Sequence, residues 1–422
     1  PITILYTSGY SYDFKEGIVK QTGGISIDVK PDNVEVLIDD KIIDEEMPIR
    51  LKNVIPGYYK IKITAGGEYY EWEKEIKVEK RQTVYIKDIE LIKKTEPTLF
   101  KSALAEDIKI SNDGNHLAYI LSNESVKEVW LYDINKKEET LVIKLDSNEK
   151  LKIEWSEFSN YFCISEQNSP FSNVYLINSQ NIKKQINLTE IAKIKIDKFE
   201  WRNDQTAEIF FNDKEKIYSY KPETNYLYTI TNNNFIDWKF VGDQLWTLEY
   251  ETSTQQHFIY KDRLGFNTKF FELKNGLSYK NFKFLEIKND IVAIKNKNSE
   301  KTIIIYDNQE FELPINNIKI SNFENWWLMW SPWEIWTYAI KEKEPILLNR
   351  SGEQLSDIIP LDEYNTLLLI WKDKATIVFP YYLVGHNLIE QKIEYANTDT
   401  KNKTLYFYAE IENQKGIYKL NY

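Results

Sequence analysis

Across 422 residues there is one cysteine, Cys163, and there are only three histidines. A single thiol excludes an intramolecular disulfide framework, and because many secreted bacterial chains also lack disulfides it leaves the compartment open. The histidines, His116, His257 and His386, lie far apart in the chain, and none has a second histidine at ligand spacing, which argues against a His-based metal site. Glycine (14) and proline (12) are too scarce for a low-complexity or disordered chain. No stretch approaches the ~18 apolar residues of a membrane span. The longest basic runs are Glu79-Lys-Arg81 and Ile92-Lys-Lys94, and the net charge is -11. That excludes nucleic acid as a partner, because phosphate binding needs concentrated positive charge. Nucleophile-elbow, Walker, dinucleotide and EF-hand signatures are missing too. These absences leave no catalytic residue, metal ligand or cofactor to name.

What the chain has in abundance is aromatic rings: Trp 12, Tyr 29 and Phe 20, 14% of all residues. Aromatic and β-branched side chains suit pleated, half-buried surfaces, so the bias points to sheet. From Gly23 to Leu91 the pattern alternates at period two. Ile25, Ile27 and Val29 alternate with Ser26, Asp28 and Lys30, and Tyr59, Ile61 and Ile63 alternate with Lys60 and Lys62. One apolar face per strand predicts a small antiparallel β-sandwich. Turn chemistry separates the runs at Pro31-Asp-Asn33, Asp39-Asp40, Pro56-Gly57 and Gly66-Gly67.

The segments Lys30 to Asp39, Met47 to Leu51, Ile55 to Ile63 and Gly67 to Trp72, in that order and spacing, resemble a PEGA domain. The resemblance implies a small β-sandwich of bacterial surface proteins, usually accessory to another module. Asp39-Asp40 stands where the family normally has an Asp-Gly turn, and Tyr58 follows the central Pro-Gly where a small polar residue is more usual. The stretch from Tyr6 to Gly23 resembles the segment that links a membrane anchor to such a domain. It implies an N-terminal transmembrane anchor ahead of Pro1, with residues 1–22 juxtamembrane, residues 23–92 the sandwich, and an extracytoplasmic location at the cell surface or in the periplasm. Residues 93–107 form a short linker and a ring-closing strand.

From residue 108 to Tyr422 a module recurs about every forty residues. The clearest copy runs Ile108-Lys-Ile110, Ser111-Asn-Asp-Gly114, His116 to Leu121, Glu128 to Asp133 and Thr140 to Leu145. Four strands at that period predict a β-propeller blade. First strands recur at Leu151, Ile196, Phe235, Phe282, Ile318, Ile358 and Ile393, which makes eight copies; seven blades, with the seventh copy as an insertion, is the alternative. The last copy ends after its third strand, and a ring cannot leave a long unpaired edge. Glu96-Pro-Thr-Leu-Phe-Lys101 is the segment expected to supply the missing outer strand. The Ile110-Ser-Asn-Asp-Gly114 turn with Leu117-Ala-Tyr119 and Leu131-Tyr-Asp133 resembles TolB-like, WD40-like propeller repeats of bacterial envelope proteins. Fold likeness of this kind transfers no function. The predicted fold is all-β, a PEGA-like sandwich followed by an eight-bladed propeller.

Five tryptophans crowd one segment: Trp326, Trp327, Trp330, Trp333 and Trp336. Middle strands of a blade are covered on both faces, so most of these rings are expected in the core. Trp333 stands apart, because Ser331-Pro332 turns the chain just before it. Turns between second and third strands gather on one face of a propeller, and here they are short and rich in Asn, Ser and Glu. Candidate contacts on that face are Trp333, Phe171, Asn168, Asn123 and Glu251. The expected function is a non-enzymatic envelope scaffold displaying its propeller to an envelope protein or a cell-surface glycan. The alternative is an extracellular polysaccharide hydrolase or lyase whose paired carboxylates meet in the central funnel.

Overall fold

Period-two alternation becomes sheet along most of the chain. The structure is a computed structural model describing residues 10–13, 17–123, 126–146, 148–202, 207–231, 235–263, 266–274, 281–298, 301–320, 326–339, 344–362, 366–380 and 382–422. A hairpin of β1 (Tyr10–Asp13) and β2 (Ile18–Gln21) leads into the sandwich. One layer joins β3 (Gly23–Lys30), β6 (Ile49–Val54) and β9 (Thr83–Glu90), with β3 in the centre; the other runs β5 (Lys41–Ile43), β4 (Glu35–Ile38), β7 (Gly57–Thr64), β8 (Trp72–Val78). Ile25, Ile27, Val29, Ile61, Ile63 and Trp72 meet between the layers, all at most 1% exposed.

Scarce glycine does not stop the hairpins from turning tightly. Asp39-Asp40, Asn289-Asp290, Asp307-Asn308 and Glu412-Asn413 each place two consecutive residues at positive φ. A two-residue hairpin loop needs that left-handed backbone to match the strand twist, and Asn and Asp tolerate it best after glycine.

Among the described residues, eight four-stranded antiparallel sheets follow, spanning residues 105–146, 151–187, 198–231, 237–272, 282–313, 317–350, 355–389 and 393–421. The last holds only three strands of its own, and β10 (Thr98–Lys101) pairs along Gln414–Asn421 as its outer strand. Each junction between neighbouring sheets carries its own apolar cluster. Ala118 and Ile120 of the first sheet meet Ile153 and Phe162 of the second, while Leu117 and Tyr119 point the other way, to Tyr406 and Ile417 of the eighth. Second strands are therefore buried on both faces and read as continuous apolar runs, as in Leu367–Trp371. Contacts between first and last sheets close the ring: Ile110 N–H donates to Asn397 Oδ1 at 3.2 Å, and Phe100 of the linker packs edge-on against Tyr119 and Tyr406.

The cluster between the seventh and eighth sheets is continuous with the sandwich core, joining Trp72, Ile86 and Leu91 to Leu361, Phe379 and Leu405. Tyr382 clamps the seam, its hydroxyl donating to Lys87 O at 2.9 Å and accepting from Lys87 N at 3.0 Å while its ring meets Trp72 edge-on.

Candidate binding face and central funnel

Trp333 sits on the turn Ser331-Pro-Trp333 between the second and third strands of the sixth sheet, 50% exposed. Hydrogen bonds lock that turn. Ser331 Oγ accepts from Trp333 N and Glu334 N, Ser331 N donates to Glu334 O, and the carbonyls of Pro332 and Trp333 accept from Leu355 and Ser351 of the next connection. The indole is thus presented on a rigid support, with little ordering entropy left to lose on binding. The next residue, Glu334, accepts from Arg350 Nε at 2.9 Å, and Glu353, two residues past the Ser351 that bonds the Trp333 carbonyl, pairs with Lys374 at 2.7 Å.

The other four candidates differ in kind. Asn123, which ends the second strand of the first sheet, and Asn168, on a bend of the second sheet, are exposed. Phe171 is a correction: its ring is 6% exposed and packs with Phe199 in the core between the second and third sheets, capped by the Lys152 ammonium. The loop Gln167–Ser172 folds inward because its backbone bridges to Ile196, and an apolar ring at that bridge goes to the core. Glu251 is committed internally, accepting from Tyr260 Oη and pairing with Lys269 at 3.3 Å. No hydrogen bond or ring stacking joins any two of the five. Of the tryptophan cluster, Trp327 and Trp330 are buried, Trp336 is half-buried with Nε1 on Glu334, and the Trp326 side chain lies outside the described residues.

The innermost strands carry charges that sequence alone did not sort. Lys198 lies 3.1 Å from both Glu200 and Asp237; Lys239 lies 3.9 Å from Glu200 and 3.6 Å from Glu286; Lys319 lies 3.2 Å from Asp357. Their second partners are backbone groups. Asp107 accepts from Ile153 N at 2.7 Å, Asp237 from Phe284 N at 2.6 Å and Glu200 from Phe240 N at 3.2 Å, each donor in the next sheet, and Lys198 and Lys319 donate to Trp238 O and Ile358 O. The charges act as staples between blades. Burial would lower the Lys239 pKa, but the charges of Glu200 and Glu286 outweigh it and raise it. At Lys319 burial wins over Asp357, with the like charge of Lys109 adding, and its pKa is lowered. Burial raises that of Asp107 despite Lys109 and two backbone donors. An acid–base carboxylate pair must share one free space, whereas these carboxylates are spent on lysines and on neighbouring backbone.

A further buried carboxylate, Glu208 in the third sheet, is fully enclosed. It accepts from Ser219 and Tyr228 hydroxyls and pairs with Arg202 at 2.8 Å. Its isolation within an apolar stretch, Ala207 to Phe211, was the available signal for a buried charge. The three histidines each lie against an aromatic ring in three separate places, His116 and His386 stacked on Trp155 and Tyr70, His257 tilted against Tyr250. Among the described residues no three His, Cys, Asp or Glu side chains are placed to hold a metal ion, and no helix is long and apolar enough to cross a membrane.

Residues 22–93 match the PEGA domain. The PEGA segment covers β3 to β9, including the Asp39-Asp40 turn where glycine is usual. No curated protein matches the chain. Among solved structures, the Dos1 propeller superposes with a TM-score of 0.51 at 11% identity, covering 78% of this chain and 95% of that one. Sqt1 of Saccharomyces cerevisiae is similar with a TM-score of 0.48 at 10% identity, over 77% and 98% of the two chains. Dipeptidyl peptidase 4 of Porphyromonas gingivalis is similar with a TM-score of 0.49 at 8% identity, over 74% and 60%. Identities this low speak to the fold alone, a propeller joined to a PEGA domain.

Proposed function

We propose that this chain is a non-enzymatic, extracytoplasmic binding protein of the bacterial cell envelope, whose propeller presents Trp333 and its charged neighbour Glu334 to an envelope protein or a cell-surface glycan. The supporting observation is the half-exposed indole on a turn fastened by five hydrogen bonds. A large apolar ring left in water on a rigid support is a poor choice for stability and a good one for contact, since aromatic anchors carry much of the energy of recognition. A PEGA domain beside the propeller supports a surface setting. Against a hydrolase or lyase stands the commitment of the inner carboxylates to lysines and backbone donors.

The test runs wild type and Trp333→Ala side by side on a glycan array and in capture from native envelopes. A ligand held by wild type and weakened by roughly 2 kcal/mol or more in the variant, at unchanged melting temperature, supports the reading. A ligand held equally by both, or polysaccharide turnover abolished by Glu200→Gln, overturns it.

A further inference from the structure

The outer face of the three-stranded layer of the sandwich is a trough. Its floor is the central strand β3, where the outward residues are small, Gly24 and Ser26; its walls are the flanking strands, where the outward residues are long. Register sets them in rows: Arg50, Ser26 and Tyr85 lie side by side, and Lys52, Gly24 and Thr83 form the next row. A Cβ on Gly24 would meet Leu51 O and Thr83 Oγ1 at 3.1 Å, a tight contact that favours glycine and keeps the floor low. Thr22, Asn53, Arg81 and Gln82 close one end, and the cavity holds about 770 Å³, within the range of ligand sites.

Charge singles this trough out. The chain carries a net charge of -11, yet three cations, Arg50, Lys52 and Arg81, line the trough and, among the described residues, no carboxylate does. Asp28, the next outward residue along β3, lies beyond the lining. Among the described residues neither Arg50 nor Lys52 has a salt-bridge partner, while Arg81 is steadied by a hydrogen bond to Tyr10. Tyr85 is 64% exposed on the wall. The side chains that dock the sandwich on the propeller, Tyr70, Trp72 and Glu90, are not in the lining, so docking does not use the trough.

We infer that this trough binds a polysaccharide carrying carboxylate groups. Guanidinium groups pair bidentately with carboxylates. Ser26, Asn53, Gln82 and Thr83 match hydroxyls, and the Tyr85 ring offers a flat apolar face to a sugar ring. Apart from Tyr85 the exposed wall side chains are polar, which fits neither an acyl chain nor the apolar centre of a protein interface. The site is separate from Trp333, and the inference does not rest on the function proposed above.

The experiment titrates the full chain with polygalacturonate, with neutral dextran and with phosphatidylglycerol vesicles. Polygalacturonate is expected to bind, more weakly as salt rises, with dextran and vesicles silent. Arg50→Gln with Lys52→Gln is expected to weaken binding at least roughly tenfold at unchanged melting temperature. Ser26→Tyr, which keeps every cation and fills the floor, is expected to do the same, and Trp333→Ala to change nothing. Equal binding of dextran, binding of vesicles in place of polygalacturonate, or wild-type affinity in both trough variants overturns the assignment.

Discussion

Glu208 shows how one residue can hold a charge inside an apolar blade. Burial pushes its pKa up, but hydrogen bonds from Ser219, Tyr228 and Arg202 and the charge of Lys221 outweigh burial and leave it lowered. A carboxylate with a depressed folded-state pKa stabilises the fold above its unfolded value and loses that contribution as pH falls through the folded one. Glu208→Gln is therefore expected to lower stability by about 3 kcal/mol at neutral pH, because the buried carboxylate's pair with Arg202 is broken. The variant's melting temperature should then fall less steeply than that of wild type below about pH 4.3. Parallel slopes in that range would show that the folded-state pKa of Glu208 is not depressed. Nothing in the sequence around Ala207 to Phe211 tells which way this side chain points, because both faces of a blade strand are buried; its partners Ser219, Lys221 and Tyr228 come from other strands, and Arg202 from just past the end of another.

At the scale of the element, the closing strand β10 is the clearest case. It exists as a strand only because Gln414–Asn421 offers an unpaired edge, and beside it Gly416 has no room for a side chain. A Cβ there would lie 2.5 Å from Lys101 O and 2.7 Å from Leu99 Cδ1. Gly416→Val is expected to push β10 away, lower stability by about 1–3 kcal/mol and open residues 96–101 to protease. Unchanged protection of that segment would mean that β10 is held by its other contacts alone. Strand pattern, turn positions and the apolar runs of the second strands were legible in the sequence, since they follow from period and local turn chemistry. Phe171 was not, because a loop residue's burial depends on a bridge to Ile196, which no local pattern encodes.

At the scale of the molecule, sandwich and propeller share one apolar core and a seam that holds a titratable ring. His386 stacks on Tyr70 at 5.1 Å, and burial lowers its pKa, with the Lys94 charge adding and a hydrogen bond to the Glu71 backbone and the Glu71 charge opposing. A base with a depressed folded pKa favours the docked state while neutral, so docking is expected to weaken as pH falls below about 6.5. His386→Phe keeps the stack and should remove that acid sensitivity; Tyr382→Phe, which loses both bonds to Lys87, should loosen the seam at every pH. Small-angle scattering and protease cleavage at residues 93–97 read both. A seam equally tight at pH 7.5 and 5.5 in wild type would dismiss His386 as the sensor.

The sequence by itself determined the class of this protein: strands from alternation, a PEGA sandwich from four segments in order, a propeller from a forty-residue repeat, and no catalytic or metal signature. Those are local or periodic properties, written in neighbouring residues. Only the tertiary structure decided which charges face each other and which rings stay in water. It joined Lys239 to Glu200 and Glu286 across three blades, sank Phe171 and left Trp333 exposed. It also gathered Arg50, Lys52 and Arg81 around a floor of Gly24 and Ser26. Pairing over long separations depends on sheet register and ring closure, and one chain read in order does not contain the distances that these set.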